Sequence, residues 1–352
     1  MALPRRRRRR ERLPLLALFL LLGAALLLAL GIGAVPITPI QILSILAERI
    51  GLPGFAETST AETAVMLSIR MPRVILAVVV GAGLAVSGAA LQGLFRNPLA
   101  DPALLGVTGG AGLAAATAIL FGGGLLATLP AAVAPWFLPG AAFLGALTVT
   151  ALVYGIAMRR EGMDLGTLLL AGIALNALAG AGLGLITFVS EDRQLRDITF
   201  WMLGSLAGTA WPQLLPVAGM ISIALALLFR LARPLNAMLL GESEAFHIGF
   251  RVESLKRQLV IITALASGAA VALTGTIGFV GLLVPHLARL IVGPDHRRLL
   301  PVSALFGATL LLFADLIGRL VVLPAELPIG VVTSFVGAPF FLWLLLRGEA
   351  RN

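Results

Sequence analysis

From Val74 to Leu94 the chain carries no charged side chain. One helix needs roughly 20 such residues, rising 1.5 Å each, to cross the hydrocarbon of a bilayer. The run then breaks at Arg96, Asn97, Pro98, Asp101 and Pro102, and apolar sequence resumes with Gly106, Gly109 and Gly110. Lipid cannot satisfy irregular backbone, so the break lies either outside the hydrocarbon or in a cavity walled by protein.

The same alternation repeats along the chain. Its 352 residues are 59% hydrophobic and 12% charged, with a mean hydropathy of +1.01, where a soluble domain holds about 25% charged residues. The fold class that follows is an all-α integral membrane protein forming one transmembrane domain over residues 1–352. Ten spans are expected, near 14–34, 71–93, 103–121, 140–158, 166–189, 211–230, 258–277, 279–293, 300–321 and 329–346. A short surface helix is expected around 198–208. The stretch 14–34 is longer than a signal core and lacks a clear A-x-A site, so it reads as a retained first helix.

Basic residues orient the bundle. With residues 1–13 as a cytoplasmic tail, the inner segments hold 20 of the 26 Lys and Arg. The outer segments hold Arg49, Arg70, Arg73, Arg193, Arg196 and Arg319. Acidic residues divide 9 inside to 8 outside. A basic bias without an acidic one is the expected positive-inside pattern, and it places both termini and the 94–102 loop in the cytoplasm. Arg5–Arg10 and Arg12 stand directly before an apolar helix. There they suit anionic membrane lipid rather than nucleic acid.

The chemistry of an enzyme is missing from the sequence. There is no GxxxxGK[ST] phosphate loop, and the sole lysine is Lys256. There is no HExxH motif and no cysteine; His247, His286 and His296 lie far apart. No catalytic or metal-ligating residue is therefore assigned. Ion-coupled carriers keep ionisable groups at mid-membrane. Here only Asp315 and Arg319 qualify, and their i,i+4 spacing also fits a structural pair. Energy for transport would have to come from another subunit.

Small residues recur every four positions at Gly81, Ala85, Ala89 and Gly93, at Gly172, Asn176, Gly180 and Gly184, and at Ala264, Gly268 and Ala272. Such stripes let helices pack closely. Asn176 interrupts one of them with an amide, which either bonds a neighbouring helix or faces a water-filled pathway.

Four blocks carry a resemblance: LSIRMPRVILAVVVGAGLAVSGAALQGLFRNPLADPALLGV, GFVGLLVPHLARLIVGPDHRRLLPVSAL, ADLIGRL and AELPIGVVTSFVGAPFFLWLLL. From about residue 65 to the C-terminus the chain resembles the FecCD-type permease subunits of type II ABC importers, which take up iron–siderophore complexes, haem and vitamin B12. The resemblance implies a homodimer in the inner membrane, working by alternating access. Two ATP-binding cassette subunits below would hold the ATP and Mg, and a periplasmic or extracytoplasmic substrate-binding protein would dock above. The permease itself would bind no cofactor.

The resemblance also implies roles for particular residues. Arg70 and Arg73 of the RxPR segment and Arg319 of ADxxxRL would meet acidic residues of the binding protein. The loop 231–257 would be a cytoplasmic coupling segment, with Glu242, Glu244, Ala245 and Gly249 of GESEAFHIG on or beside the lever that enters the ATPase. The GPDHRR turn at 293–298 offers a second contact. Asn97 would stand at the inner mouth of the pathway as a gate, while Asp101 with Pro102 caps the start of the third span. The wording SIRMPR and TFWMLGSLAG leans toward haem and siderophore cargo rather than vitamin B12. A self-contained secondary carrier and a membrane-embedded enzyme are the other function classes weighed.

Overall fold

The computed structural model describes residues 5–159, 162–322 and 324–349. Arg160, Arg351 and the first four residues of the basic tail lie outside them. Among the described residues the helices are α1 (Arg5–Gly31), α2 (Pro39–Arg49), α3 (Thr60–Val65), α4 (Met71–Phe95), α5 (Val107–Leu126), α6 (Phe137–Ala157), α7 (Leu165–Val189), α8 (Asp192–Leu203), α9 (Trp211–Arg230), α10 (Ala232–Met238), α11 (Glu242–His247), α12 (Val252–Thr274), α13 (Val280–Val292), α14 (His296–Leu320) and α15 (Ile329–Glu349). One antiparallel pair, β1 (Met158–Arg159) and β2 (Gly162–Met163), joins α6 to α7.

Seven of the described helices are long and apolar enough to cross a membrane. Three shorter apolar helices, Leu15–Gly31, Val280–Val292 and Ile329–Trp343, fall on the expected first, eighth and tenth spans. The fold is an all-α membrane bundle. The break between the seventh and eighth spans is real: α12 ends at Thr274, and Gly275 and Phe279, both at positive φ, bracket an irregular link before α13.

α4 is the central post. Nearly all of it is buried, in contact with α9, α12, α13 and α14. Its small residues make this possible. A Cβ at Gly81 would overlap the backbone of Gly307 in α14, and one at Gly88 would overlap Gly281 in α13. Gly268 of α12 sits against Phe143 and Ala146 of α6. The stripe on α7 behaves differently. Gly172 is packed tightly, whereas Gly180 and Gly184 have open space beside them.

Three elements depart from the expected layout. The second span begins at Thr60, because α3 runs through a π-helical turn, Met66–Arg70, into α4. Pro39–Arg49 forms an unanticipated surface helix, started by a Thr38–Gln41 capping box. The short helix expected at 198–208 is α8, which begins six residues earlier. There Glu191 N–H donates to the Gln194 side chain, and Gly204 at φ 72° ends the helix.

Candidate functional site

The 96–106 stretch starts as a turn and ends inside the bundle. Arg96, at φ 49°, terminates α4. Asn97 Oδ1 then accepts the Leu99 N–H at 2.9 Å, so this exposed side chain holds the turn. Asp101 Oδ1 accepts the Ala103 N–H at 2.8 Å and caps a 3-10 turn, Pro102–Leu105, closed by Gly106 at φ 82°. The expected cap at Asp101 is therefore present. α5 begins at Val107, four residues after the expected span, because the 3-10 turn intervenes.

This turn packs against the interior of α7. The Ala103 carbonyl accepts Asn176 Nδ2 at 2.8 Å, and Leu104 O lies where a Cβ of Gly172 would be. Asn176 lies eleven residues into α7, about 16 Å along it at 1.5 Å per residue. The polar break thus runs back into the bundle, walled by α6, α7 and α13, as irregular backbone at that depth requires. Of the two readings of Asn176, the structure shows the bond to a neighbouring segment.

Next to the turn is a cavity of about 700 Å³. The 3-10 turn supplies Asp101 and Ala103, the start of α5 Thr108, the end of α8 Met202, the 275–279 link Thr276, and α15 Ser334. The rest of the lining is mainly apolar. A space of this size with few polar groups suits passage of a bulky cargo better than tight capture of a small ion.

Arg70, Arg73 and Arg319 meet at one end of the bundle, although 253 positions separate Arg73 from its partner Glu326. Their guanidinium groups are engaged within the chain. Arg70, 4% exposed, donates to Leu30 O at 2.6 Å, Gly31 O at 3.0 Å, and Val35 O. Arg319 donates to Ala29 O at 3.1 Å. Between them they satisfy the carbonyls that the end of α1 leaves open, where a helix also favours positive charge. Arg73 Nε pairs with Asp315 at 2.8 Å, and its two Nη atoms grip both Glu326 oxygens at 2.9 Å. Arg319 Nε lies 3.1 Å from the other Asp315 oxygen. Both Asp315 oxygens are thus paired; the i,i+4 pair exists but is shared with Arg73. Among these side chains Glu326, with 41% of its own exposed, carries the network toward the surface.

At the opposite end lies the 231–257 segment. Gly241 at φ 133° opens α11, and Gly249 at φ 95° ends the turn after it. Ala245 is fully buried and faces the bundle, so it is not on the outer surface of the lever. The exposed apolar side chains there are Leu239, Leu240, Phe246 and Ile248, none of them among the expected coupling residues. Glu244 lies at the surface, while Glu242 turns back to Lys256 at 2.6 Å. The GPDHRR turn is fastened to α10: Asn236 donates to Asp295, and His296 N–H donates to Asn236 at 2.8 Å. Burial pushes the Asp295 carboxyl up, but hydrogen bonds from Asn236 and the Arg297 N–H, with the nearby arginine charges, outweigh it. The group is held below the usual aspartate range.

Comparison with known proteins gives one consistent result. Residues 20–347 match the profile of the FecCD transport family, further toward the N-terminus than the four blocks. The chain is 46% identical over 295 residues to the hemin transport system permease HmuU of Yersinia pestis, covering 84% of this chain and 87% of that one. It is 42% identical over 297 residues to the cobalamin import system permease BtuC of Halobacterium salinarum, covering 84% and 77%. A solved chain described as an inward-facing conformation of a metal-chelate type ABC transporter superposes with a TM-score of 0.81 at 33% identity, covering 95% of this chain and 98% of that one.

Proposed function

The chain belongs to the FecCD transport family and is an ABC importer permease; from that premise we propose that it moves haem or a ferric siderophore across the cytoplasmic membrane. The observation that favours haem is the 46% identity to a haemin permease. Vitamin B12 is the second reading, favoured by the 42% identity to a cobalamin permease.

In this reading residues 1–352 form one permease domain with both termini cytoplasmic. The chain is non-catalytic and holds no cofactor of its own. It works as a homodimer on two ATPase subunits, which bind ATP and Mg. The open space beside Gly180 and Gly184 supports α7 as a helix that a second copy approaches. The cavity beside Asp101 and Thr108 is one wall of the pathway, the turn braced by Asn176 is its gate, and Asn97 fixes the turn's outer corner.

The Arg70, Arg73 and Arg319 cluster is the docking end for the binding protein. Arg73 meets the partner's carboxylates by exchanging Glu326, while Arg70 and Arg319 fix the α1 end beside it. Leu240, Phe246 and Ile248, with Glu244 and the turn at Gly249, form the ATPase contact. Glu242 and Ala245 anchor that contact to the bundle from behind.

The test is uptake into proteoliposomes carrying the permease, its ATPase and its binding protein. Haem, a ferric siderophore and cobalamin are compared with and without ATP. Haem uptake that needs ATP supports the reading; preferred cobalamin uptake selects the second. Uptake without the ATPase would instead identify a self-contained carrier.

A further inference from the structure

Lys256 is the only lysine of the chain and is 3% exposed. An ammonium group has three N–H donors and no acceptor. Here all three are used: Glu242 Oε2 at 2.6 Å, Glu253 Oε1 at 2.9 Å and the Met163 carbonyl at 3.0 Å. These acceptors belong to three elements. Glu242 opens α11, Glu253 lies in the first turn of α12, and Met163 ends the β1–β2 hairpin.

The hairpin is gripped a second time, because Glu253 Oε2 accepts the Met163 N–H at 2.7 Å. Both polar backbone groups of Met163 are thus held by the Glu253–Lys256 pair. Gly162 makes this approach possible. Its φ is 118°, and a Cβ there would stand 2.6 Å from the Glu253 carboxyl carbon.

Past Met163 the chain is continuous and stiff. Asp164 caps α7 by accepting the Gly166 and Thr167 N–H groups. Twelve residues after Asp164, α7 carries Asn176, which holds Ala103 of the turn beside the cavity. α11 itself packs on α10 and α12. Its polar link to the hairpin runs through Lys256.

We propose that Lys256 is a positioning residue for energy coupling, transmitting displacement of α11 through the hairpin and α7 to the Ala103 turn. This rests on the permease reading above. A compact ammonium suits the role, because three divergent acceptors do not match the planar fork of an arginine. Burial makes the link stiff, since breaking one partner leaves charge poorly compensated in low dielectric.

The chain has no cysteine, so Thr108→Cys places a single reporter in the cavity. The whole complex, permease with ATPase and binding protein, is labelled with a water-soluble maleimide, with and without ATP plus vanadate. With Lys256 intact, nucleotide changes the labelling rate. In Lys256→Met the change falls about tenfold, within the 5–150-fold range of typical site–site coupling, while the ATPase still co-purifies. Glu242→Gln and Gly162→Ala leave Lys256 in place and strike the same line from either side; each reduces the response, so the test survives if Lys256→Met fails to fold. A full response in any variant that retains the ATPase overturns the relay. If the Lys256-intact chain recruits no ATPase, the permease reading falls and the relay with it. If it recruits ATPase but shows no nucleotide response, the relay alone is refuted.

Discussion

Asp101 and Asn176 hold one residue from opposite sides. Asp101 Oδ1 accepts the N–H of Ala103, and Asn176 Nδ2 donates to its carbonyl, each at 2.8 Å. Ala103 therefore has both polar groups fixed by side chains, one from its own turn and one from α7. This turns a polar interruption into a rigid element inside an apolar bundle. Without both bonds, the Ala103 N–H would lack a partner and its carbonyl would keep only the Gly106 N–H.

Asn176→Leu should then destabilise the fold by about 1–3 kcal/mol, the usual cost of leaving a buried polar group short of a partner. Gly106 N–H also bonds the Ala103 carbonyl, which favours the lower end. Asp101→Ala should cost about 0.5–2 kcal/mol as a lost cap. The two sites share Ala103, so the double variant should lose less than the sum. Thermal unfolding in detergent measures all three. Strict additivity would mean that the bonds act independently.

The arginine cluster separates stability from docking. Arg70→Ala leaves the carbonyls of Leu30 and Val35 without their donor, while the Gly31 carbonyl keeps the Ile37 N–H, and should cost about 1.5–3 kcal/mol, the range for bonds to charged groups. Arg73→Glu sets a third carboxylate beside Asp315 and Glu326, and should weaken binding-protein docking at least tenfold. The checks are melting temperature for the first and binding-protein affinity on the purified permease for the second. Arg70→Ala should leave the affinity of the surviving folded protein within a few-fold of the starting value. An equal loss of affinity in both variants would count against this division.

Much of the bundle was legible because membrane spans announce themselves. Trp211 and Arg230 bound α9 where the apolar run begins and ends. Asp101 with Pro102 marked the restart of the chain because capping is local chemistry. What could not be read depends on distant backbone. The inward turn of Arg70 follows from a π-helical turn over Met66–Arg70, and its acceptors are carbonyls about 40 positions away. The pairing of Lys256 with Met163 spans 93 positions and ends on a carbonyl, which leaves no mark on residue type. The α2 helix leaves little mark on the sequence, because it is short and amphipathic and lies in a stretch of prolines and glycines at the end of α1. The resemblance puts Ala245 on or beside the lever without saying which way it faces; its small side chain fits against the bundle.

Asp295 gives a pH signature. Its carboxyl is held below the usual range in the folded chain, and the unfolded value is about 3.9. A depressed folded value stabilises the protein above the unfolded pKa, and this stabilisation is lost as pH falls through the folded value. Above about pH 5, Asp295→Asn should therefore melt below the unaltered chain. The two melting curves should converge as pH drops below about 4. A gap that stays constant down to about pH 3 would mean that the ionised form of Asp295 contributes nothing.

Two glycines of the α7 stripe, Gly172 and Gly180, should respond in opposite ways. A Cβ at Gly172 would run into the Leu104 carbonyl, which is backbone and cannot swing aside, whereas Gly180 has open space around it. Gly172→Ala should force the Pro102–Leu105 turn outward and cost at least the roughly 1–3 kcal/mol typical of overpacking. Gly180→Ala should keep or slightly raise the stability of the single chain, since alanine is the better helix former by about 1 kcal/mol. A bulkier change, Gly180→Trp, tests what occupies the open space. If a second copy approaches α7 there, the indole should shift the assembly toward monomer in light scattering while the melting temperature of the monomer holds. If only lipid lies beside it, the oligomeric state should not change. Instability in Gly180→Ala matching that of Gly172→Ala would contradict the packing described for α7.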